Sequence, residues 1–394
     1  MKQAQPRLQQ LGPYPFERLS ALFSGHSQNP QLEPIDAGAG EPRLPLPAFV
    51  QPTLDEHIGG FSRYPSTRGD INLRQTIASW LERRYGLQGV DPNRNVLTAN
   101  GTREALFAVA HALVNPDADE KPYVLMPNPM YQIYLGAAVT AGGIPYLLPC
   151  EKAHDFEPRL ETVPEDVWQR TSLVYVCSPS NPTGWVAETA YFEQLLKLAD
   201  TYDFNVLSDE CYSEIYWQTA PAGLLEVAAG LGRSDFTRCL AFNSLSKRSA
   251  LPGMRSGFIA GDAELIERFA KLRSYTGSAT PLPLQHVAMR AWQDETHVQK
   301  HLVGYRASLQ AFFDEYDTEE TPDGSFFAWL PVESGEAFAV AAYEQQAVTV
   351  LPGSYLAATD DQGYNPGSGY IRVALVDGPE KVAELARRLK AVRI

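Results

Sequence analysis

Short hydrophobic runs alternate with helix-like stretches between residues 96 and 262. In the stretch 105–113, Leu106, Val109 and Leu113 recur at the spacing of one helical face, and residues 187–202 show a second helical pattern. Strands are predicted where the hydrophobic residues are continuous, at 123–126, 146–148, 173–177, 205–208, 239–242 and 257–260. Because strands that alternate with helices are joined by right-handed crossovers, this order predicts an α/β fold whose mostly parallel sheet is flanked by helices.

The pattern changes after Pro283, where longer helical and shorter strand signals follow one another. The predicted elements there are a helix over 288–316, a strand at 325–330, a helix at 336–345, strands at 348–351 and 370–374, and a last helix from Pro379. The first 47 residues are rich in proline and contain a short helical candidate at 16–23. We therefore predict an N-terminal arm (1–47) that joins the small domain, a large domain (48–283) and a smaller α+β domain (284–394).

Composition excludes several classes of partner. The chain has 33 Lys and Arg against 47 Asp and Glu, a net charge of −14, so neither nucleic acid nor an anionic membrane surface is an expected partner. The N-terminus lacks the apolar stretch of a signal peptide, and no segment approaches the roughly 18 apolar residues of a membrane span, so we expect a cytoplasmic protein.

Cysteine and histidine spacing gives no sign of a metal site. Buried thiols are predicted for the four cysteines, which form no C-x-x-C pair: Cys150, Cys177, Cys211 and Cys239. His297 and His301 share a helical face without an evident third ligand, so we interpret that face as solvated and predict no bound metal.

Three polar motifs that follow hydrophobic runs carry the candidate chemistry. The run 239–242 is followed by SLSK, which ends at Lys247; Asp209 follows a second run, and Asn181 follows a third. Because parallel strands end at the same edge of a sheet, the three side chains are expected to lie together. Each has a plainer interpretation alone: a solvated lysine, a helix cap and a turn asparagine. Their order along the chain favours a shared site.

This order of motifs resembles the class I and II aminotransferases of fold type I, over essentially the whole chain. The resemblance implies a large domain with a mostly parallel sheet, a smaller α+β domain, and pyridoxal 5′-phosphate as cofactor. It also implies that Lys247 attaches the cofactor as a Schiff base and then moves the substrate Cα proton as general base and acid. An ordinary lysine titrates near 10.4. We expect imine formation and the neighbouring Arg255 to lower that pKa.

The same resemblance assigns Asp209 to the ring nitrogen of the cofactor, as a catalytic residue that keeps this nitrogen protonated. A charge pair at about 4 Å and an effective dielectric of about 20 is worth roughly 4 kcal/mol, or about three pKa units. That is enough to maintain a cationic electron sink at neutral pH. Tyr212 and Asn181 are implied to hydrogen-bond the ring oxygen, although Tyr212 alone would more often be a core aromatic residue.

The phosphate group is expected at the N-terminus of the helix 105–113, where free N–H groups favour an anion. The resemblance implies that the phosphate site is built from Gly101, Thr102, Arg103, Ser244 and Arg255. It also implies that Tyr131 stacks on the cofactor ring. Tyr64 is implied to reach the phosphate of the neighbouring subunit, which requires a homodimer with shared active sites. A helix cap and a core aromatic residue are the plainer alternatives for Thr102 and Tyr131.

The substrate α-carboxylate is implied to bind Arg372, whose planar guanidinium suits bidentate recognition. Gly40, through its backbone, and Asn181 would lie beside it. Several stretches, among them LGPYPFE at 11–17 and DGSFF at 323–327, resemble bacterial succinyldiaminopimelate aminotransferases. The implied reaction moves an amino group between N-succinyl-L,L-2,6-diaminopimelate and 2-oxoglutarate, in lysine biosynthesis.

The distal carboxylate of that donor would need its own cation, because burying it unpaired costs several kcal/mol. Arg43 and Arg68 are the candidates, with an ordinary surface charge as the alternative for each. Residues 274–289 contain no arginine, whereas older aspartate aminotransferases place their side-chain-carboxylate arginine there, so strict aspartate specificity by that device is not expected.

Two alternative functions remain open at this point. One is another enzyme of the same fold type, such as an alanine- or methionine-type transaminase or a carbon–sulfur lyase. The other is a non-catalytic regulatory domain that binds pyridoxal phosphate. The second would be expected to carry a basic DNA-binding module, and the acidic chain offers none.

Overall fold

The structure is a computed structural model that describes residues 6–318 and 321–394. The α-helices are α1 Pro15–Leu22, α2 Val50–His57, α3 Ile71–Tyr85, α4 Thr102–Leu113, α5 Ile133–Ala141, α6 Glu165–Gln169, α7 Thr189–Tyr202, α8 Leu224–Gly230, α9 Leu245–Arg248, α10 Ala263–Thr276, α11 Leu282–Gln293, α12 Thr296–Tyr316, α13 Gly335–Gln346 and α14 Pro379–Ala391. The strands are β1 Ile35–Asp36, β2 Val96–Ala99, β3 Tyr123–Asn128, β4 Ile144–Pro149, β5 Thr171–Cys177, β6 Asn205–Asp209, β7 Cys239–Ser244, β8 Gly257–Gly261, β9 Phe327–Pro331, β10 Val348–Thr349, β11 Leu351–Pro352 and β12 Tyr370–Ala374.

A seven-stranded sheet organises the larger part of the molecule, in the order β2-β8-β7-β6-β5-β3-β4. All neighbouring pairs from β7 to β4 are parallel, and β8 runs antiparallel to both β7 and β2. Residues 245–256, which contain the short helix α9, connect β7 to the antiparallel β8. The predicted mostly parallel α/β sheet is confirmed. β2 was not among the six predicted strands.

Helices cover both faces of this sheet. Alternate residues of β5 serve two different cores: Val174 and Val176 pack with α3, α7, α8 and α11, whereas Leu173 and Tyr175 pack with α4, α5 and α10. Because both sides are buried, the strands read as continuous hydrophobic runs. The polar residues that could form a site are therefore found at the carboxyl ends of these strands.

A smaller antiparallel sheet, in the order β11-β12-β9, packs against α12, α13 and α14 around a separate hydrophobic core. The N-terminal arm reaches this part of the molecule, because β1 pairs with β10 through Ile35 and Val348. The domain limits at residues 47 and 283 stay a prediction.

The single helix predicted over 288–316 is wrong, because the chain breaks at Asp294 between α11 and α12. Asp294 has an extended backbone (φ −97°, ψ 111°) that ends α11. Its carboxylate accepts a hydrogen bond from the backbone N–H of Thr296 at 2.7 Å, which caps the start of α12. A helical pattern of hydrophobic residues continues across such a break, so periodicity alone did not reveal it.

The predicted solvated face on α12 is also wrong. His297 and His301 are both buried. His297 Nε2 lies 2.9 Å from Ser249 Oγ, and its ring packs edge-on against Phe49 at 5.3 Å. Burial lowers the pKa of His297 to about 4, so its imidazole is neutral and hydrogen-bonded. His297 and His301 do share one face of a helix, but the sequence does not show what packs against that face.

The four cysteines are buried free thiols, as predicted. Within residues 6–318 and 321–394, no cluster of His, Cys, Asp and Glu is arranged to hold a metal ion. None of the described helices is both long enough and apolar enough to cross a membrane.

Candidate active site

A cavity of about 370 Å³ brings most of the predicted site residues together. It lies at the carboxyl ends of the central strands, where the N-terminal arm and β12 approach the large sheet. The predicted residues that line it are Gly40, Thr102, Arg103, Tyr131, Asn181, Asp209, Tyr212, Lys247, Arg255 and Arg372. A larger open groove of about 820 Å³ passes His154 and Asp323 but contains none of these side chains, so volume does not mark the candidate site.

Lys247 projects into this cavity from α9, the short helix that follows β7. Ser244 starts the helix by accepting a hydrogen bond from the N–H of Ser246 at 3.1 Å. The lysine ammonium donates to the carbonyl of Gly40 in the N-terminal arm. Burial lowers the pKa of Lys247 to about 8, and the nearby cations Arg372 and Arg255 act in the same direction. A buried amine of this kind can lose its proton near neutral pH, as a nucleophile and proton carrier requires.

Asp209 is the buried carboxylate at the base of the cavity. It ends β6 opposite Cys177 of β5. Its Oδ2 accepts a hydrogen bond from the Tyr134 hydroxyl at 2.7 Å, and its Oδ1 accepts from the N–H of Cys211 at 3.3 Å. Burial raises the pKa of the Asp209 carboxyl, and these hydrogen bonds oppose that rise. A cationic ring nitrogen would supply the countercharge that the site otherwise lacks.

The candidate phosphate cradle lies at the start of α4. Arg255 donates to the carbonyl of Asn100 at 3.1 Å, which brings its guanidinium against the helix N-terminus. Gly101 has φ 80°, a backbone conformation that favours glycine, and a Cβ there would press against the end of the Arg255 side chain. Glycine at this position therefore lets the cation and the helix N–H groups converge on one anion without backbone strain. Ser244 supports this segment from β7 and does not itself line the cavity.

Arg372 is a buried arginine whose hydrogen-bond acceptors are neutral. It donates to Asn181 Oδ1 at 2.9 Å and to the carbonyl of Gly38 at 2.7 Å, and it lies over the ring of Phe327 at 4.3 Å. Burial lowers its pKa to about 10. Gly40 packs so closely that a Cβ would meet Phe327 at 2.5 Å. A buried, uncompensated guanidinium is suited to bind a carboxylate.

Arg103 lines the cavity and hydrogen-bonds two phenols, and its implied role in the phosphate site stays a prediction. Its Nε donates to the Tyr131 hydroxyl at 2.8 Å, and its Nη2 donates to the Tyr14 hydroxyl. The guanidinium therefore lies at the outer side of the cavity, between two phenols. Tyr14 was not predicted as a site residue, although it belongs to the LGPYPFE stretch that indicated the closer family resemblance.

Other cavity residues were missed because their type carries no signal of its own. They are Phe16, Cys177, Cys211, Ser246, Pro252 and Phe327. Thr102 Oγ1 and Cys211 Sγ lie 2.9 Å apart. No sequence motif indicates a contact between these two residues.

Five predicted site residues do not line the cavity of this chain: Gly101 and Ser244 lie beside it in the phosphate cradle, and Arg43, Arg68 and Tyr64 lie elsewhere. Arg43 pairs with Asp377 at 2.5 Å, and Arg68 pairs with Glu267 at 2.9 Å. The side chain of Tyr64 is fully exposed. Their assigned roles stay predictions, and that of Tyr64 depends on a second subunit.

Comparison with known proteins decides the family. The family model described as Aminotransferase class I and II matches residues 33–389. The chain belongs to this family. The aminotransferase is 30% identical to the LL-diaminopimelate aminotransferases of Moorella thermoacetica and Syntrophobacter fumaroxidans, each match covering 98% of this chain and 97% of the relative.

Solved structures agree with that assignment. An aminotransferase from Neisseria meningitidis has 40% identity and a TM-score of 0.93, covering 98% of this chain and 99% of its own. Aminotransferase AspB from Helicobacter pylori has 34% identity and a TM-score of 0.89, covering 96% and 98%. The predicted family, fold and pyridoxal-phosphate dependence are confirmed. The residues present also fit the cofactor: an amine for its carbonyl, a carboxylate for its ring nitrogen, and a cation with a helix N-terminus for its phosphate.

Proposed function

We propose that this aminotransferase moves the amino group between N-succinyl-L,L-2,6-diaminopimelate and 2-oxoglutarate. The single observation that carries the proposal is the balance of charge in the cavity. Its lining contains four cations and one carboxylate, namely Lys247, Arg103, Arg255, Arg372 and Asp209. Lys247, Arg255, Arg372 and Asp209 already have roles at the cofactor or the reacting end of the substrate. Arg103 remains for an anion at the distal end of the donor.

The names of the relatives support a diaminopimelate skeleton, since both describe LL-diaminopimelate aminotransferases. Both donors have a carboxylate at the distal end, but the unsuccinylated donor also has a distal ammonium, which would need an anionic partner. Among the described residues that line the cavity, Asp209 is the only carboxylate, and it is buried at the base. Succinylation replaces the ammonium by a neutral amide and adds a carboxylate, which fits Arg103 and its two phenols better.

The roles of the remaining residues follow from their chemistry. When bound, pyridoxal phosphate accepts the electrons released at the substrate Cα and carries the amino group between donor and acceptor. We propose that the Lys247 amine moves the Cα proton, and that Arg372 holds the α-carboxylate. The amide oxygen of Asn181 accepts a hydrogen bond from Arg372. Its N–H groups can therefore act with Tyr212 as donors to the ring oxygen of the cofactor.

A homodimer belongs to the same proposal. Ile58, Phe61 and Tyr64 are exposed large hydrophobic residues within one short segment, and such a patch favours contact with another protein surface. We propose that this segment lies against the second subunit, where Tyr64 reaches the partner's phosphate site. Mixing Tyr64→Phe with Lys247→Ala should then restore activity in hybrid dimers, because one site of each hybrid carries neither change. No recovery above the parent variants would count against shared sites.

A half-reaction screen tests the substrate. Purified holoenzyme is mixed separately with N-succinyl-L,L-diaminopimelate, L,L-diaminopimelate, alanine, methionine and aspartate, and conversion of the cofactor to its pyridoxamine form is followed by absorbance. We expect the succinylated donor to react most efficiently and 2-oxoglutarate to reverse the conversion. Preference for the unsuccinylated donor would assign the activity named for the relatives. Release of ammonia and a keto acid without an acceptor would indicate a lyase.

A further inference from the structure

Asp209 is held by a tyrosine that the catalytic assignments do not include. The Tyr134 hydroxyl donates to Asp209 Oδ2 at 2.7 Å, from the first turn of α5. Tyr134 is completely buried, and its ring stacks on Tyr175 at 4.7 Å with an interplanar angle of 15°. The Tyr175 hydroxyl donates instead to the carbonyl of Leu106, also at 2.7 Å. Two neighbouring buried phenols therefore make equally short hydrogen bonds, and only one of them reaches Asp209.

The surroundings of Asp209 explain why that hydrogen bond matters. The other titratable groups that act on its carboxylate are two buried thiols, two further phenols and one amine, namely Cys177, Cys211, Tyr131, Tyr212 and Lys247. No arginine is among them. A carboxylate in such a site favours its neutral form unless hydrogen-bond donors stabilise the charge. The side chain and backbone N–H of Cys211 and the Tyr134 hydroxyl all stabilise the charged form. The hydrogen bond from Tyr134, at 2.7 Å, is shorter than the one from the Cys211 N–H, at 3.3 Å.

We infer that Tyr134 is a positioning residue whose hydrogen bond keeps the Asp209 carboxylate ionised and fixed for the ring nitrogen of the cofactor. Tyr134 acts through Asp209, and it is not itself among the cavity-lining residues. The inference rests on the proposed role of Asp209. Without the phenol, Asp209 retains its proton more readily, so it pairs less well with a cationic ring nitrogen.

Three variants of the full-length protein test the inference: Tyr134→Phe, Tyr175→Phe as the matched control, and Asp209→Asn as the reference. Tyr134→Phe keeps the ring and its stacking, so the fold is expected to survive, and unfolding temperatures should fall similarly in the two tyrosine variants. The main readout is the equilibrium affinity of each apoenzyme for pyridoxal phosphate between pH 5 and 9. The second is the separation of kcat from KM in the reconstituted enzymes.

Tyr134→Phe is expected to weaken cofactor affinity by roughly tenfold, about 1.4 kcal/mol. Its affinity should begin to decline at a higher pH than in the unchanged protein as the solution is acidified, because Asp209 is protonated sooner. In the reconstituted enzyme kcat should fall while KM changes little. Tyr175→Phe should show neither the pH displacement nor the loss of affinity, although it also loses one buried hydrogen bond.

The results that would overturn the inference can be told apart. If Tyr134→Phe and Tyr175→Phe match in affinity, pH profile and kcat while Asp209→Asn binds the cofactor poorly, the role of Tyr134 is refuted and that of Asp209 stands. If Asp209→Asn binds the cofactor as well as the unchanged protein does, the assignment of Asp209 fails and the inference fails with it.

Discussion

The arginines of the cavity and those of the nearby surface differ in what holds them. Arg372, Arg255 and Arg103 donate to carbonyl, amide and phenol oxygens, all of them neutral. Arg43 and Arg68 are paired with the carboxylates of Asp377 and Glu267. A neutral acceptor orients a guanidinium without cancelling its charge, whereas a carboxylate cancels most of it. Cations held by neutral groups keep their charge available for an incoming anion, and we propose that this difference separates the arginines that bind substrate or cofactor from structural ones.

The largest expected effect comes from replacing Lys247, the cavity cation that must lose its proton in order to react. Lys247→Ala should abolish covalent attachment of the cofactor and reduce turnover by at least about a thousandfold, because proton transfer at Cα loses its carrier. Borohydride reduction of the unchanged holoenzyme, followed by peptide mapping, should place the label on Lys247. A label on another lysine would contradict the assignment.

Arg372→Gln comes next and should affect every donor alike. The charge-assisted hydrogen bonds to the α-carboxylate are lost, so kcat/KM should fall by roughly tenfold to a hundredfold for the succinylated donor and for alanine, if alanine is used at all. Steady-state kinetics with both donors provides the measurement. A loss confined to the succinylated donor would mean that Arg372 binds the distal end.

Arg103→Gln should be selective instead. We expect KM for the succinylated donor to rise by about tenfold, or about 1.4 kcal/mol, with little change for alanine. Arg43→Gln and Arg68→Gln serve as matched controls, since each removes an arginine that is already paired. A tenfold change in either control, with none in Arg103→Gln, would favour the distal site first predicted from the sequence.

The smallest effect concerns the pH dependence of cofactor capture. Only the neutral amine reacts, and burial together with Arg372 and Arg255 lowers the pKa of Lys247 to about 8. The capture rate of the apoenzyme should therefore rise only about twofold between pH 8 and 10, whereas an ordinary lysine should gain about seventyfold. Absorbance kinetics, with free N-acetyl-lysine as the control, tests this. A lysine-like rise would show that the cavity does not depress the pKa.

Several site residues were predictable because the ends of buried strands can be recognised in the sequence. Lys247, Asp209 and Asn181 each follow a hydrophobic run, and parallel pairing brings the ends of such runs together. Tyr134 and Tyr14 were missed. They come from a helix and from the N-terminal arm, and a tyrosine in either place is usually a packing residue. Arg103 was found by its motif, but its two phenol partners were not predicted, and its implied phosphate role stays a prediction.

The sequence by itself determined the α/β fold, the family and the residues expected at the reacting end of the site. These depend on periodicity and on short motifs, which are local in the chain. Only the tertiary structure decided which arginines meet neutral acceptors and which meet carboxylates, because their partners are distant in the sequence: Arg43 and Asp377 are 334 positions apart. The same holds for the hydrogen bond from Tyr134 to Asp209, across 75 positions. Local sequence patterns indicate the strand end or helix to which a residue belongs. Tertiary packing determines which charged group or hydroxyl its side chain contacts.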